Sequence, residues 1–145
     1  GIDTAAHEAA LAAGGRTVAV IGTGLHHSYP PENEALQRRI GAEGAVVSQF
    51  WPDAAPSRTS FPRRNGVMSG LALGTVVVEA SFRSGARLQA RLALAHGRPV
   101  FLWSAVLGEP WAREFAERPG VYVVDEAAQV METVERLDAM DELVE

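Results

Sequence analysis

Two adjacent guanidiniums stand in Phe61-Pro62-Arg63-Arg64-Asn65, at the predicted opening of a helix. Residues of these types at a helix start suit the capture of a phosphate. Proline loses nothing in a first turn, while backbone N–H groups and the positive end of the helix dipole favour an anion. Arginine adds permanent, forked charge. Arg58 precedes the pair on a proline-containing loop. A second such segment is Arg83-Ser84-Gly85-Ala86-Arg87. Ser84 is suited to cap a helix, Gly85 leaves its amides uncovered, and Arg83 and Arg87 share a face if both are helical. A third is Gly22-Thr23-Gly24, where glycine permits either a tight turn or close approach to a ligand. His27 occupies the position where the dinucleotide-binding pattern needs another glycine, which argues against a nicotinamide site. Each segment also has a plain structural reading: a solvated helix start for the arginines, a turn for the glycines. Phe61 and Phe82 are candidates to stack on bases, or core residues.

Chemistry beyond binding finds little support. His26 and His27 are adjacent, so they diverge, and no third ligand stands at a metal-like spacing. The absence of cysteine excludes disulfides and thiolate catalysis. Glu79, at a predicted strand end, could act as a general base, accept from a ribose hydroxyl, or pair with an arginine. No nucleophile and base set accompanies it, so neither catalysis nor a cofactor is expected.

Charge is partitioned along the chain. Residues 1–56 carry six acids and three arginines, −3; residues 57–98 carry seven arginines and one acid, +6; residues 99–145 carry eleven acids and three arginines, −8. The net charge of −5 therefore hides a basic middle. Because salt screens exposed charges beyond roughly 10 Å, that local stripe can follow a phosphate backbone despite the acidic average. All 13 basic residues are arginine.

The elements that must position these residues follow from periodicity. Short β-branched runs at 16–21, 45–49, 75–79, 99–102 and 121–124 alternate with helical patterns at 4–13, 32–42, 62–73, 83–96, 110–118 and 126–137. Strands separated by helices predict an α/β fold, a Rossmann-like parallel sheet with helices on both faces in three layers. Such sheets bind ligands beyond the carboxyl ends of their strands, where the Gly22-Thr23-Gly24 and Arg83-Ser84-Gly85-Ala86-Arg87 segments fall. At 145 residues and 47% hydrophobic, the chain is expected to form a single domain, 1–145. No apolar run reaches a membrane span and no signal sequence opens the chain, so a cytoplasmic location is expected. Residues 103–108 are apolar and predict packing.

Taken in order, Gly1-Ile2-Asp3-Thr4-Ala5-Ala6-His7, Gly22-Thr23-Gly24-Leu25, Tyr29-Pro30-Pro31-Glu32-Asn33, Phe61-Pro62-Arg63-Arg64-Asn65, and Val77-Val78-Glu79-Ala80 with Arg83-Ser84-Gly85 resemble the DprA/Smf DNA-processing proteins. The resemblance implies an extended Rossmann domain that binds and protects single-stranded DNA and helps load a RecA-type recombinase in natural transformation, often as a homodimer. It implies a non-catalytic role. The chain opens inside the family's Ser-Gly-x-Ala-x-Gly-Ile-Asp motif, so the family's upstream strands and Gly-Ser-Arg loop are expected to lie outside it. It also departs at Gly66, at Ala86-Arg87-Leu88-Gln89-Ala90, and in the acidic segment beyond Leu102. An alternative is a nucleotide-binding protein related to the LOG-type phosphoribohydrolases, with Glu79 and an arginine acting on a ribosyl phosphate. Against it, the Pro-Gly-Gly-x-Gly-Thr-x-x-Glu motif is missing, and Gly74-Thr75 precede the strand. A third reading is a protein-interaction domain whose acidic tail competes for the arginines.

Overall fold

The computed structural model describes residues 1–142, with side chains through residue 140; the last acidic residue of the tail, Glu145, lies outside the described residues. The chain divides into two compact units, Gly1–Met68 and Ser69–Glu145.

In the first unit, α1 (Ile2–Ala12) leads into β1 (Val18–Val20). A 3-10 turn (Pro31–Asn33) and α2 (Glu34–Glu43) carry the chain back to β2 (Ala45–Val47), and α3 (Ser60–Leu71) begins after a long loop. β1 and β2 pair in parallel, Val18 with Ala45 through Val20 with Val47. Two further bonds extend the ladder: Ala45 N–H donates to Thr17 O at 3.2 Å and Ile21 N–H to Val47 O at 3.0 Å. Parallel neighbours require a crossover, which α2 supplies. Leu11, Ala19 and Ile40 form the buried centre, flanked by Ile21, Leu36 and Val46.

In the second unit, β3 (Thr75–Val77), β4 (Val100–Trp103) and β5 (Val121–Val124) form a parallel sheet in that order. α4 (Gly85–Ala95) and α5 (Pro110–Ala116) make the crossovers, a 3-10 turn (Ser104–Gly108) precedes α5, and α6 (Ala127–Glu142) follows β5. β4 is central, and its Val100, Phe101 and Leu102 are fully buried. A strand covered on both faces reads as a continuous apolar run, as this one does. Val106, Trp111, Ala112 and Phe115 join it in one core, with Trp103 and Leu107 packed alongside. The apolar segment 103–108 is therefore packing.

The expected α/β fold of parallel strands and intervening helices is present, with the strand pairing divided between a two-stranded and a three-stranded sheet. Four of the five strands fall inside their predicted runs, β4 extends one residue past its run to Trp103, and the helices shift by a few residues. α3 starts at Ser60 because Ser57 and Ser60 cap each other: Ser60 N–H donates to Ser57 Oγ and Ser57 N–H to Ser60 Oγ, both at 3.1 Å. This reciprocal arrangement satisfies donors that a helix start otherwise leaves open. No helix among the described residues is long and apolar enough to cross a membrane.

Candidate nucleic-acid interface

The loop that leaves β1 is built around Gly22, Thr23 and Gly24, all buried. Thr23 Oγ1 donates to Gly24 O at 3.1 Å, and Ser48 Oγ donates to Thr23 O at 2.6 Å. Gly24 N–H donates to Ala54 O at 2.8 Å and His26 N–H to Pro52 O at 3.0 Å. A Cβ on Gly24 would lie 2.1 Å from Trp51 O, and one on Gly22 would lie 2.7 Å from the Phe61 ring. Glycine here lets the 51–54 turn and an aromatic ring approach the backbone. The Gly24 amide, expected to face a ligand, is engaged by that turn.

The two adjacent arginines of α3 do different work. Arg64 is half-buried; its guanidinium donates to Val20 O at the carboxyl end of β1 at 2.9 Å and to Asn65 Oδ1 at 3.0 Å. Its cation also lies 5.8 Å from the centre of the Phe61 ring. Burial pushes this guanidinium below its ordinary value, with the Asp3 carboxylate opposing the shift; it stays charged, as arginine does in proteins. Arg63 is exposed and sits over the Phe50 ring at 5.6 Å. The helix start offers less to an anion than its sequence promises, since Ser60 N–H is capped, Pro62 has none, and Arg63 N–H donates to Thr59 O at 3.4 Å. The charge that faces solvent is that of Arg63 and Arg58. Asn65 is buried.

In the second unit, the segment between β3 and α4 carries Phe82, Arg83, Ser84 and Gly85. Ser84 caps α4, accepting from Ala86 N–H at 3.1 Å. Serine-to-alanine substitution at such a cap costs about 1 kcal/mol, so Ser84→Ala is expected to lower the urea midpoint by a corresponding amount. Arg83 precedes the cap, so the helical spacing that would place it beside Arg87 does not apply; it is exposed by itself. Arg87 instead lies over the Phe82 ring, 4.2 Å from its centre, and donates to Phe82 O at 3.4 Å. Phe82 is 64% exposed, with one face taken by Arg87. Trp111 Nε1–H donates to Ala80 O at 3.0 Å, fixing the start of this segment. Gly85 is exposed and opens the helix.

Of the residues singled out from the sequence, Gly22, Thr23, Gly24, Arg58, Arg63, Arg64 and Asn65 lie in the first unit and Arg83, Ser84, Gly85 and Arg87 in the second. Three ion pairs occur among the described residues, His26–Asp53, Arg38–Glu34 and Arg39–Glu43. None involves an arginine of the basic stretch 57–98, and none involves Glu79, which is exposed. Reasoning from sequence passed over Trp51, 85% exposed on the turn beneath Gly24. The only signal for it was an aromatic residue in a proline-containing loop.

Comparison with known proteins gives this arrangement a context. The DNA processing protein DprA of Streptococcus pneumoniae is 48% identical over 101 residues, 70% of this chain and 36% of that protein. The X-ray structure of DprA from the same species matches with a TM-score of 0.79 at 38% identity, covering 91% of this chain and 47% of that one. Protein Smf of Escherichia coli is 38% identical over 138 residues, 93% of this chain and 37% of that protein. DNA processing protein A of Helicobacter pylori, whose structure addresses its single-stranded DNA binding mode, shares the fold with a TM-score of 0.71 at 24% identity, over 83% of this chain and 56% of that one. The fold is thus the Rossmann-like fold of these proteins, and the chain spans well under half the length of the curated relatives it matches. The family described as DNA recombination-mediator protein A matches residues 1–140, nearly the whole sequence, and the chain belongs to that family, the DprA/Smf proteins.

Proposed function

We propose that this chain binds single-stranded DNA in DNA processing and recombination, without catalysis. The observation that carries the reading is the set of arginines at Arg58, Arg63, Arg83 and Arg87, which have no carboxylate within ion-pair distance among the described residues, in a stretch of charge +6. Elsewhere, on α2, carboxylates pair with Arg38 and Arg39. Guanidiniums left uncompensated beyond the carboxyl ends of parallel strands suit phosphates. The family's description as a recombination mediator and the single-strand binding of the H. pylori protein support the same ligand. On this reading residues 1–145 work as one domain in the cytoplasm, the partner is a RecA-type recombinase, and the active form is a homodimer. Arg58, Arg63, Arg83 and Arg87 contact phosphates; Gly22, Thr23, Gly24, Arg64, Asn65, Ser84 and Gly85 hold the loops that present them. The phosphoribohydrolase alternative is not favoured by the family match.

The test is a titration of a fluorescent single-stranded oligonucleotide at several salt concentrations, with duplex DNA as comparator. Single-strand affinity is expected to fall with salt at roughly 0.7 logarithmic units per phosphate contacted. Arg63→Ala is expected to lower affinity and reduce that slope by about 0.7 while leaving the melting temperature unchanged. Arg64→Ala removes bonds to Val20 O and Asn65 and is expected to destabilise the protein by about 1–3 kcal/mol. An unaltered salt slope in Arg63→Ala, or equal binding of duplex, would refute the reading.

A further inference from the structure

Trp51 is the most exposed large apolar side chain among the described residues, at 85%. An indole gains from burial, so a bare one needs a reason to remain outside. Its backbone supplies one. Ala54 N–H donates to Trp51 O at 2.9 Å, closing the turn. The turn is tied to the loop after β1 by Gly24 N–H to Ala54 O, by His26 N–H to Pro52 O, by a contact of 3.1 Å between His27 Nε2 and Asp53 O, and by one of 2.8 Å between His26 Nδ1 and the Asp53 carboxylate. The absent side chain of Gly24 admits Trp51 O to a position that a Cβ would block. The ring is thereby presented from a fixed base, and little backbone freedom remains to be lost when something lies against it.

Its surroundings specify what that is. The preceding residue, Phe50, carries the Arg63 guanidinium over its ring, and the exposed Arg58 follows on the same loop. The nearest acid in sequence, Asp53, is hydrogen-bonded to His26. The other exposed rings are less available: Tyr29 packs on Phe61 at 5.5 Å and Phe82 is covered on one face by Arg87. An exposed ring next in sequence to the ring that Arg63 covers, on the loop that carries Arg58, neither arginine having a carboxylate partner among the described residues, matches a ligand that is flat, unpaired and joined to phosphate. We infer that Trp51 stacks on one nucleobase of a single strand while Arg63 holds an adjoining phosphate. This rests on the single-strand reading and adds to it the residue that distinguishes an unpaired base from duplex, whose bases are already stacked.

The experiment follows tryptophan emission and the anisotropy of a labelled oligothymidine in one titration of the full chain. Trp111 is buried and Trp103 half-buried, so quenching reports on Trp51. The oligonucleotide is expected to quench emission in step with the anisotropy change. Trp51→Ala abolishes the quenching and weakens binding on the order of ten-fold, and Trp51→Phe retains most of the affinity. Neither alters the salt slope, since no phosphate contact is lost. Wild-type affinity in Trp51→Ala, or quenching that persists without Trp51, overturns the stacking role; if Arg63→Ala still reduces the slope in that titration, the single-strand reading survives alone. Absence of any binding by the unaltered chain removes both. The side chain is exposed, so circular dichroism of Trp51→Ala is expected to match the wild type and to exclude misfolding.

Discussion

Trp111→Ala is expected to lower the stability of the second unit by about 3–5 kcal/mol, the range for removing a large aromatic side chain from a packed core. Trp111 is buried on α5, in the same core as Val77, Leu102 and Phe115, with its ring tilted against Phe115 at 5.9 Å. Its indole N–H is the donor to Ala80 O, so truncation creates a cavity and deprives a buried residue's carbonyl of its partner. Trp111→Phe separates the two effects, since it keeps most of the ring and loses the donor; a loss of about 1–3 kcal/mol is expected. Urea unfolding measures both. A loss below about 1 kcal/mol for alanine would mean that the site relaxes to fill the space, contrary to close packing. Because Ala80 begins the segment carrying Phe82, Arg83 and Ser84, the phenylalanine variant is also expected to loosen that segment.

Gly24→Ala is expected to destabilise the first unit by about 3 kcal/mol, the sum of overpacking and of lost hydrogen bonds. The added Cβ would meet Trp51 O at 2.1 Å and Pro52 O at 2.2 Å. These are backbone atoms, so no side-chain rotation relieves the clash. The 51–54 turn must move, and the bonds from Gly24 N–H and His26 N–H go with it. Gly22→Ala makes the comparison, since its Cβ would meet the Phe61 ring at 2.7 Å and a half-buried ring is able to shift. The thermal midpoint of Gly24→Ala should fall well below that of Gly22→Ala. Equal midpoints would show that the turn is not locked.

The alternation of strands and helices was legible because it resides in local periodicity: the Val-rich run of β5 and the serine that caps α4 each announce themselves within a few residues. The distinction between Arg63 and Arg64 was not. Adjacent and identical, they differ only because one reaches Val20 O, 44 residues away in sequence, and the other lies over Phe50. Gly22 and Gly24 were recognised as positions of close approach, but what approaches is the chain itself, from the turn at 51–54 and from Phe61. Trp51 was invisible for the same reason. Its exposure is imposed by bonds from His26 and His27, and no pattern around residue 51 encodes them. Charge partition survived the passage to three dimensions best, because the carboxylates that pair with arginines stand on α2, outside the basic stretch.

The boundary between the two units falls between Met68 and Ser69, inside α3. Dissection of the chain is governed by that placement. A cut there would leave residues 60–68 on one fragment and 69–71 on the other, and helices shorter than about 12–15 residues hold together poorly on their own. Fragments intended for separate expression should therefore keep α3 whole, with the first piece running through Leu71. Limited proteolysis of the folded chain is expected to spare this boundary and to cut in the loops instead.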